Sequence, residues 1–70
     1  MKLKINSAYE CGATTIIPRS HYSNQDGLKY AIFQMITRED NRYICKHTTL
    51  TQKEIRKVLM LSKNEKVEII

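Results

Sequence analysis

Leu28-Lys29-Tyr30-Ala31-Ile32-Phe33-Gln34-Met35-Ile36-Thr37-Arg38, then Glu39-Asp40-Asn41-Arg42, then Tyr43-Ile44-Cys45-Lys46-His47-Thr48-Thr49, is the stretch on which the fold turns. Its first part is apolar on both sides at a period of two. Leu28, Tyr30, Ile32 and Ile36 fall on one side, and Ala31, Phe33 and Met35 on the other. That pattern suits a central strand covered on both faces, but periodicity alone does not separate it from a buried helix. The next segments decide between them. Glu39-Asp40-Asn41-Arg42 suits a tight turn, and residues 42–49 are rich in β-branched and aromatic side chains. The reading is a β-hairpin with strands over about 29–38 and 42–48. With Asp40 and Asn41 at the turn, Ile36 lies opposite Cys45 and Gln34 opposite His47. Phe33, Met35, Ile44 and Lys46 then share the other face.

Upstream, Lys2-Leu3-Lys4-Ile5 alternates polar and apolar residues, as a half-buried strand does. Thr14-Thr15-Ile16-Ile17 is a β-branched run, read as a short edge strand that Pro18 stops. Residues 19–27, with Ser20, Ser23, Asn24, Asp26 and Gly27, read as a mobile loop. Downstream, Thr51 and Glu54 fit the reciprocal capping box, and Leu50 and Ile55 occupy the positions of the hydrophobic staple. Ile55, Val58 and Leu59 form one apolar stripe, so the spacing predicts a helix over about 52–62, with Asn64 as a left-handed stop. Val67-Glu68-Ile69-Ile70 predicts a C-terminal strand. The expected architecture is one α+β domain over residues 1–70: a small antiparallel sheet carrying one helix, with a strand at the C-terminus.

Seventy residues support one modest core, drawn from Leu3, Ile5, Ile16, Ile17, Leu28, Tyr30, Ile32, Phe33, Met35, Ile36, Ile44, Leu50, Ile55, Val58, Leu59, Leu61, Val67 and Ile69. Chains this short usually gain stability from disulfides, a metal or a second subunit. Two cysteines make too few bridges for a stapled secreted scaffold, which favours a homodimer working in a reducing cytoplasm. The first residues lack the apolar stretch of a signal peptide, and the longest apolar run, Val58-Leu59-Met60-Leu61, is far too short to span a bilayer, so no membrane role is expected. Nine Ile, eight Lys and four Asn beside three Ala suggest AT-rich coding DNA, as in low-GC bacteria or their phages.

Net charge is +5, from twelve Lys and Arg against seven Asp and Glu, and it is spread over both halves of the chain. A charge of this size permits attraction to phosphate backbones without demanding it. On the predicted helix, Lys53, Arg56, Lys57 and Met60 point away from the apolar stripe, an adaptable methionine among three cations, as a partner-contacting surface has. Arg38, Arg42, Tyr43 and Lys46 on the hairpin are candidate extensions, with Tyr43 as a stacking platform between cations.

Leu50-Thr51-Gln52-Lys53-Glu54-Ile55, followed by Leu59, Leu61 and Ser62, resembles the first half of a bacterial helix-turn-helix. The resemblance breaks at Arg56, where a small residue lets two helices approach, and at Met60, where the turn usually needs glycine. A strand is also predicted where the recognition helix should stand. Cys11, His21, Cys45 and His47 are zinc-ligand types without zinc-ligand spacing, and Cys45 reads as a small core residue. Cys45 and His47 share a strand face too widely spaced for a direct nucleophile–base hydrogen bond. Gly12 and Gly27 are the only glycines, so no phosphate-cradling loop exists. No cofactor, metal or catalysis is expected. The sequence points to a non-enzymatic accessory or regulatory module that binds nucleic acid. The alternative is a protein-binding modulator or inhibitor of an enzyme, of the kind phages and mobile elements carry.

Overall fold

A computed structural model describes residues 1–70. Strands β1 (Lys2–Leu3), β2 (Tyr9–Cys11), β3 (Thr14–Asn24), β4 (Gly27–Glu39) and β5 (Arg42–Thr51) lead directly into helix α1 (Gln52–Val58), and β6 (Glu68–Ile69) ends the chain. Strands β2-β3-β4-β5 form an antiparallel sheet in that order, while β1 and β6 pair in parallel as a separate two-stranded unit. The fold is α+β, with one short helix on a long meander.

Two-residue turns join the four meander strands, and their backbone angles follow from the residues present. Asp40 and Asn41 both have positive φ (48° and 63°), the pattern of a type I′ turn that matches strand twist. Gly12 supplies the positive φ (63°) at the first turn position between β2 and β3, which suits type II′. Between β3 and β4, Asp26 N–H donates to Asn24 Oδ1 at 3.0 Å. The central hairpin has the expected register, with Ile36 opposite Cys45 and Gln34 opposite His47, and it runs without a bulge from Glu39–Arg42 to Tyr30–Thr51.

A two-residue loop closes on a pair that exchanges both backbone bonds, here Glu39 with Arg42. The ladder then alternates, so Ile44, Lys46, Thr48 and Leu50 turn their N–H and C=O groups toward β4. Tyr43, Cys45, His47 and Thr49 turn theirs outward. The neighbouring strand agrees: Arg38 N–H reaches the other way, to Ala13 C=O at 3.1 Å.

Only one face of the sheet is covered. Ile16 and Pro18 from β3, Ala31 and Phe33 from β4 and Leu50 from β5 are buried beneath Ile55 of α1 together with Leu3, Val67 and Ile69. Nine of 70 residues are buried, so the core is smaller than the sequence pattern suggests. The expectation that β4 is covered on both sides fails because no second layer exists. Ile17, Ile32 and Ile36 are half-buried on the open face, and Tyr30 is 38% exposed there. Ile44 is on the helix side, yet it is 42% exposed because α1 is too short to cover it.

Strand β3 does not stop at Pro18, nor do residues 19–24 form a loop. Counting from the β2–β3 turn, Pro18 directs its nitrogen away from β4, to a side that β2 no longer occupies. The missing donor therefore costs no ladder bond, and Pro18 C=O still accepts from Asn6 N–H at 2.8 Å. A register shift at Arg19 then re-aims the strand.

Helix α1 begins with the capping box read from the sequence. Glu54 N–H donates to Thr51 Oγ1 at 3.3 Å, and Thr51 N–H donates to Glu54 Oε1 at 3.1 Å. Gln52 clips the C-terminal segment to the helix: its Oε1 accepts from Val67 N–H at 3.3 Å and its Nε2 donates to Val67 C=O at 3.2 Å. The helix is shorter than the expected span to residue 62, and Asn64 is not its stop. Leu61 N–H bonds Arg56 C=O and Met60 N–H bonds Lys57 C=O, the paired bonds of a Schellman ending, with Met60 at φ 56°. A helix-turn-helix is excluded, since the chain goes from this stop to β6 with no second helix.

Two stability outcomes follow. Met60 holds a left-handed backbone that costs an L-residue about 1–2 kcal/mol, and its side chain is 92% exposed. Met60→Gly is therefore expected to raise unfolding free energy by about 1 kcal/mol in urea titration; an unchanged or lowered value contradicts the strain. Donation first from Thr51 N–H and then from its hydroxyl holds the Glu54 carboxyl below the ordinary glutamate range. Its contribution is present above that ordinary range and is lost as pH falls through the depressed value. Thermal melts from neutral to acid pH should show this loss in the wild type and not in Glu54→Gln.

Candidate functional site

Lys53, Arg56 and Lys57 follow one another on α1 because Thr51 and Glu54 fix where the helix starts and Ile55 fixes which side faces the sheet. They line one groove of about 510 Å³ with Lys63 and Leu61. Lys63 is the site residue that the sequence reading missed. It lies beyond the helix, and the Schellman turn at Met60 brings the chain back alongside α1. No Asp or Glu lines this groove, and the single ion pair of the molecule lies elsewhere, between the Met1 amino group and Glu65 at 3.2 Å. Glu54, the one acidic residue of α1, is committed to the cap. The result is a cluster of cations without carboxylate partners.

On the far side of Arg56 a second cleft has mixed character, with Asp26 and Glu68 set against Arg56 and Lys66. A polyanion would meet its own charge there, so the favourable surface ends at Arg56.

The structure separates Met60 from the three cations. Because α1 ends at Val58, Met60 belongs to the turn and borders a different groove of about 390 Å³, lined by Met1, Tyr9, Cys11, Val58 and Leu59. Burial in that lining raises the Cys11 thiol above its ordinary value.

The hairpin candidates also divide. Arg38 and Tyr43 are directly opposite each other on the open face, with Tyr43 72% exposed. Arg42 and Lys46 are on the helix side by the alternation of β5. A single flat ligand on the helix side can therefore meet Lys46 and Arg42 but not Arg38 or Tyr43.

The open face carries a polar relay that no local pattern shows. Arg19, at the bulge, donates to Asn6 Oδ1 at 2.8 Å and through two nitrogens to Gln34 Oε1 at 2.7 and 3.1 Å. Gln34 Nε2 in turn donates to Cys45 Sγ at 3.2 Å. Cys45 is thus an exposed residue of an open strand, not a core residue. Tyr22 and Tyr30 stack at 5.6 Å with Lys29 Nζ 5.9 Å from the Tyr22 ring, at the opposite end of the sheet from Tyr43. Cys11, His21, Cys45 and His47 are not brought together, and no cluster of three His, Cys, Asp or Glu side chains suited to a metal forms. No helix is long and apolar enough to cross a membrane. Comparison with protein-family models, curated proteins and solved structures finds no match to this chain.

Proposed function

We propose that this protein is a non-enzymatic, cytoplasmic accessory module that binds nucleic acid through the groove of Lys53, Arg56, Lys57 and Lys63. The observation that carries this reading is the convergence of these four cations on one surface with no carboxylate among them. A phosphate backbone satisfies such a cluster because each contact releases condensed counterions. The groove has one apolar residue, Leu61, and no base-reading element, so it suits backbone contact rather than sequence readout. Lys46 and Arg42 extend the same side of the sheet toward the hairpin end.

A second reading, contact with a protein, is favoured by Met60. An almost fully exposed methionine held in a strained turn beside an apolar groove is a feature of protein-contacting surfaces. On that reading the chain modulates or inhibits an enzyme through the Met60 side.

Fluorescence anisotropy with labelled single- and double-stranded oligonucleotides, over a salt series, tests the first reading. Replacing Lys53, Arg56 and Lys57 with Ala should lower the salt slope on duplex DNA by about 2.7, and adding Lys63→Ala should lower it by about 0.9 more. Circular dichroism checks that the variants remain folded. Absence of salt-sensitive binding by the wild type, or a folded triple variant that binds as tightly as the wild type, overturns this reading.

A further inference from the structure

We propose that two copies of the chain join edge to edge through β5, in an antiparallel register centred on Cys45. This inference does not rest on nucleic-acid binding.

Strand β5 is the outer strand of the sheet, ten residues long, with no proline, glycine or bulge. Tyr43, Cys45 and His47 direct backbone donors and acceptors outward, and no other part of the chain bonds them. Proteins normally blunt such an edge with proline, bulges, charged side chains or a covering segment, and of these β5 carries only Arg42 and Lys46, both on the helix side. The opposite edge of this sheet has those devices: β2 covers β3 as far as Ile16, Pro18 offers no donor, Arg19 is bulged and Asn6 occupies the Pro18 carbonyl. One open edge and one blunted edge make an assembly that closes at two copies rather than growing into a filament.

Side-chain charge selects the register. Centring the pairing on Lys46 would set it against Lys46 of the partner subunit, a like-charge pair. Centring it on His47 would bring the partner strand against the start of α1, which follows β5 without a linker. With Cys45 at the centre, Tyr43 lies beside the partner subunit's His47, and Lys46 beside the partner subunit's Ile44. Antiparallel pairing places the two-fold axis perpendicular to the sheet, so two four-stranded sheets become one and both α1 helices stand on the same side.

The test exploits the alternation of β5. His47→Pro removes an outward N–H that the monomer does not use, so the fold should survive while strand addition is blocked. Light scattering without nucleic acid should give about twice the 8.2 kDa chain mass for the wild type and the single mass for His47→Pro, with unchanged circular dichroism. A wild type that stays at the single mass into the millimolar range overturns the proposal, as does a folded His47→Pro that remains double. Cross-linking gives a readout that does not depend on the proline variant folding. Directly opposed residues of a hydrogen-bonded antiparallel pair have Cα atoms about 5.5 Å apart and Cβ atoms about 5 Å apart, too wide for an unstrained disulfide but within reach of a short thiol-to-thiol cross-linker. A short bismaleimide, each of whose two C=C bonds adds one thiol across it with no leaving group, should link Cys45 to Cys45 of the partner subunit. Cys45→Ser should abolish that covalent dimer and leave the non-covalent mass doubled. A dimer in which Cys45 fails to link overturns the register.

Discussion

The pair Asp40-Asn41 fixes the relation of β4 to β5, and most of the molecule depends on it. Two residues with positive φ allow one hairpin register, and a slip of one residue would send every side chain of β5 to the other face. In the observed register Leu50 lies beside Ala31 and next to Phe33, so α1 has an apolar floor on which to set Ile55. Because α1 follows β5 without a linker, the same register sets where the helix starts. The position of Lys53, Arg56 and Lys57 is therefore a consequence of a turn at the far end of the sheet, roughly 30 Å away along β5.

A second constraint is scarcity of cover. The molecule extends 43 Å along its longest axis, but its one helix has seven residues. Cover is concentrated where β1, β6 and α1 meet, and Gln52 secures that junction by taking both backbone groups of Val67. Beyond it the hairpin projects as a single layer, with one face supported only by half-buried isoleucines and the relay from Asn6 through Arg19 and Gln34 to Cys45. Antiparallel sheets tolerate one wet face, so this arrangement leaves surface available. The cationic groove, the Met60 turn and the β5 edge are three separate parts of that surface.

Features governed by neighbouring residues were legible in the sequence. The hairpin register followed from Asp40-Asn41, and the helix start from Thr51 and Glu54, because each motif satisfies its own backbone groups within a few residues. Lys53, Arg56 and Lys57 followed from the helix period. What depended on distant partners was not legible. Pro18 is tolerated because β2 has already ended, a fact of the neighbouring strand. Residues 19–24 remain extended because β4 pairs with them, despite their turn-forming composition. Met60 ends the helix in place of Asn64, and this displaced it from the cation face and brought Lys63 to it. Cys45 and Tyr30 fit the apolar pattern of a core, but there is no second layer to bury them, and α1 is too short to reach Ile44 on the other face.

The alternation along β5 decides both the buried side chains and the outward backbone groups. Amide hydrogen exchange measured residue by residue, in dilute and in concentrated solution, tests it directly. Ile44, Lys46 and Thr48 should be protected under both conditions, while Tyr43, Cys45 and His47 should exchange freely when dilute and gain protection on concentration. Protection of Tyr43, Cys45 and His47 in dilute solution, with free exchange at Ile44, Lys46 and Thr48, would show that the hairpin register is wrong.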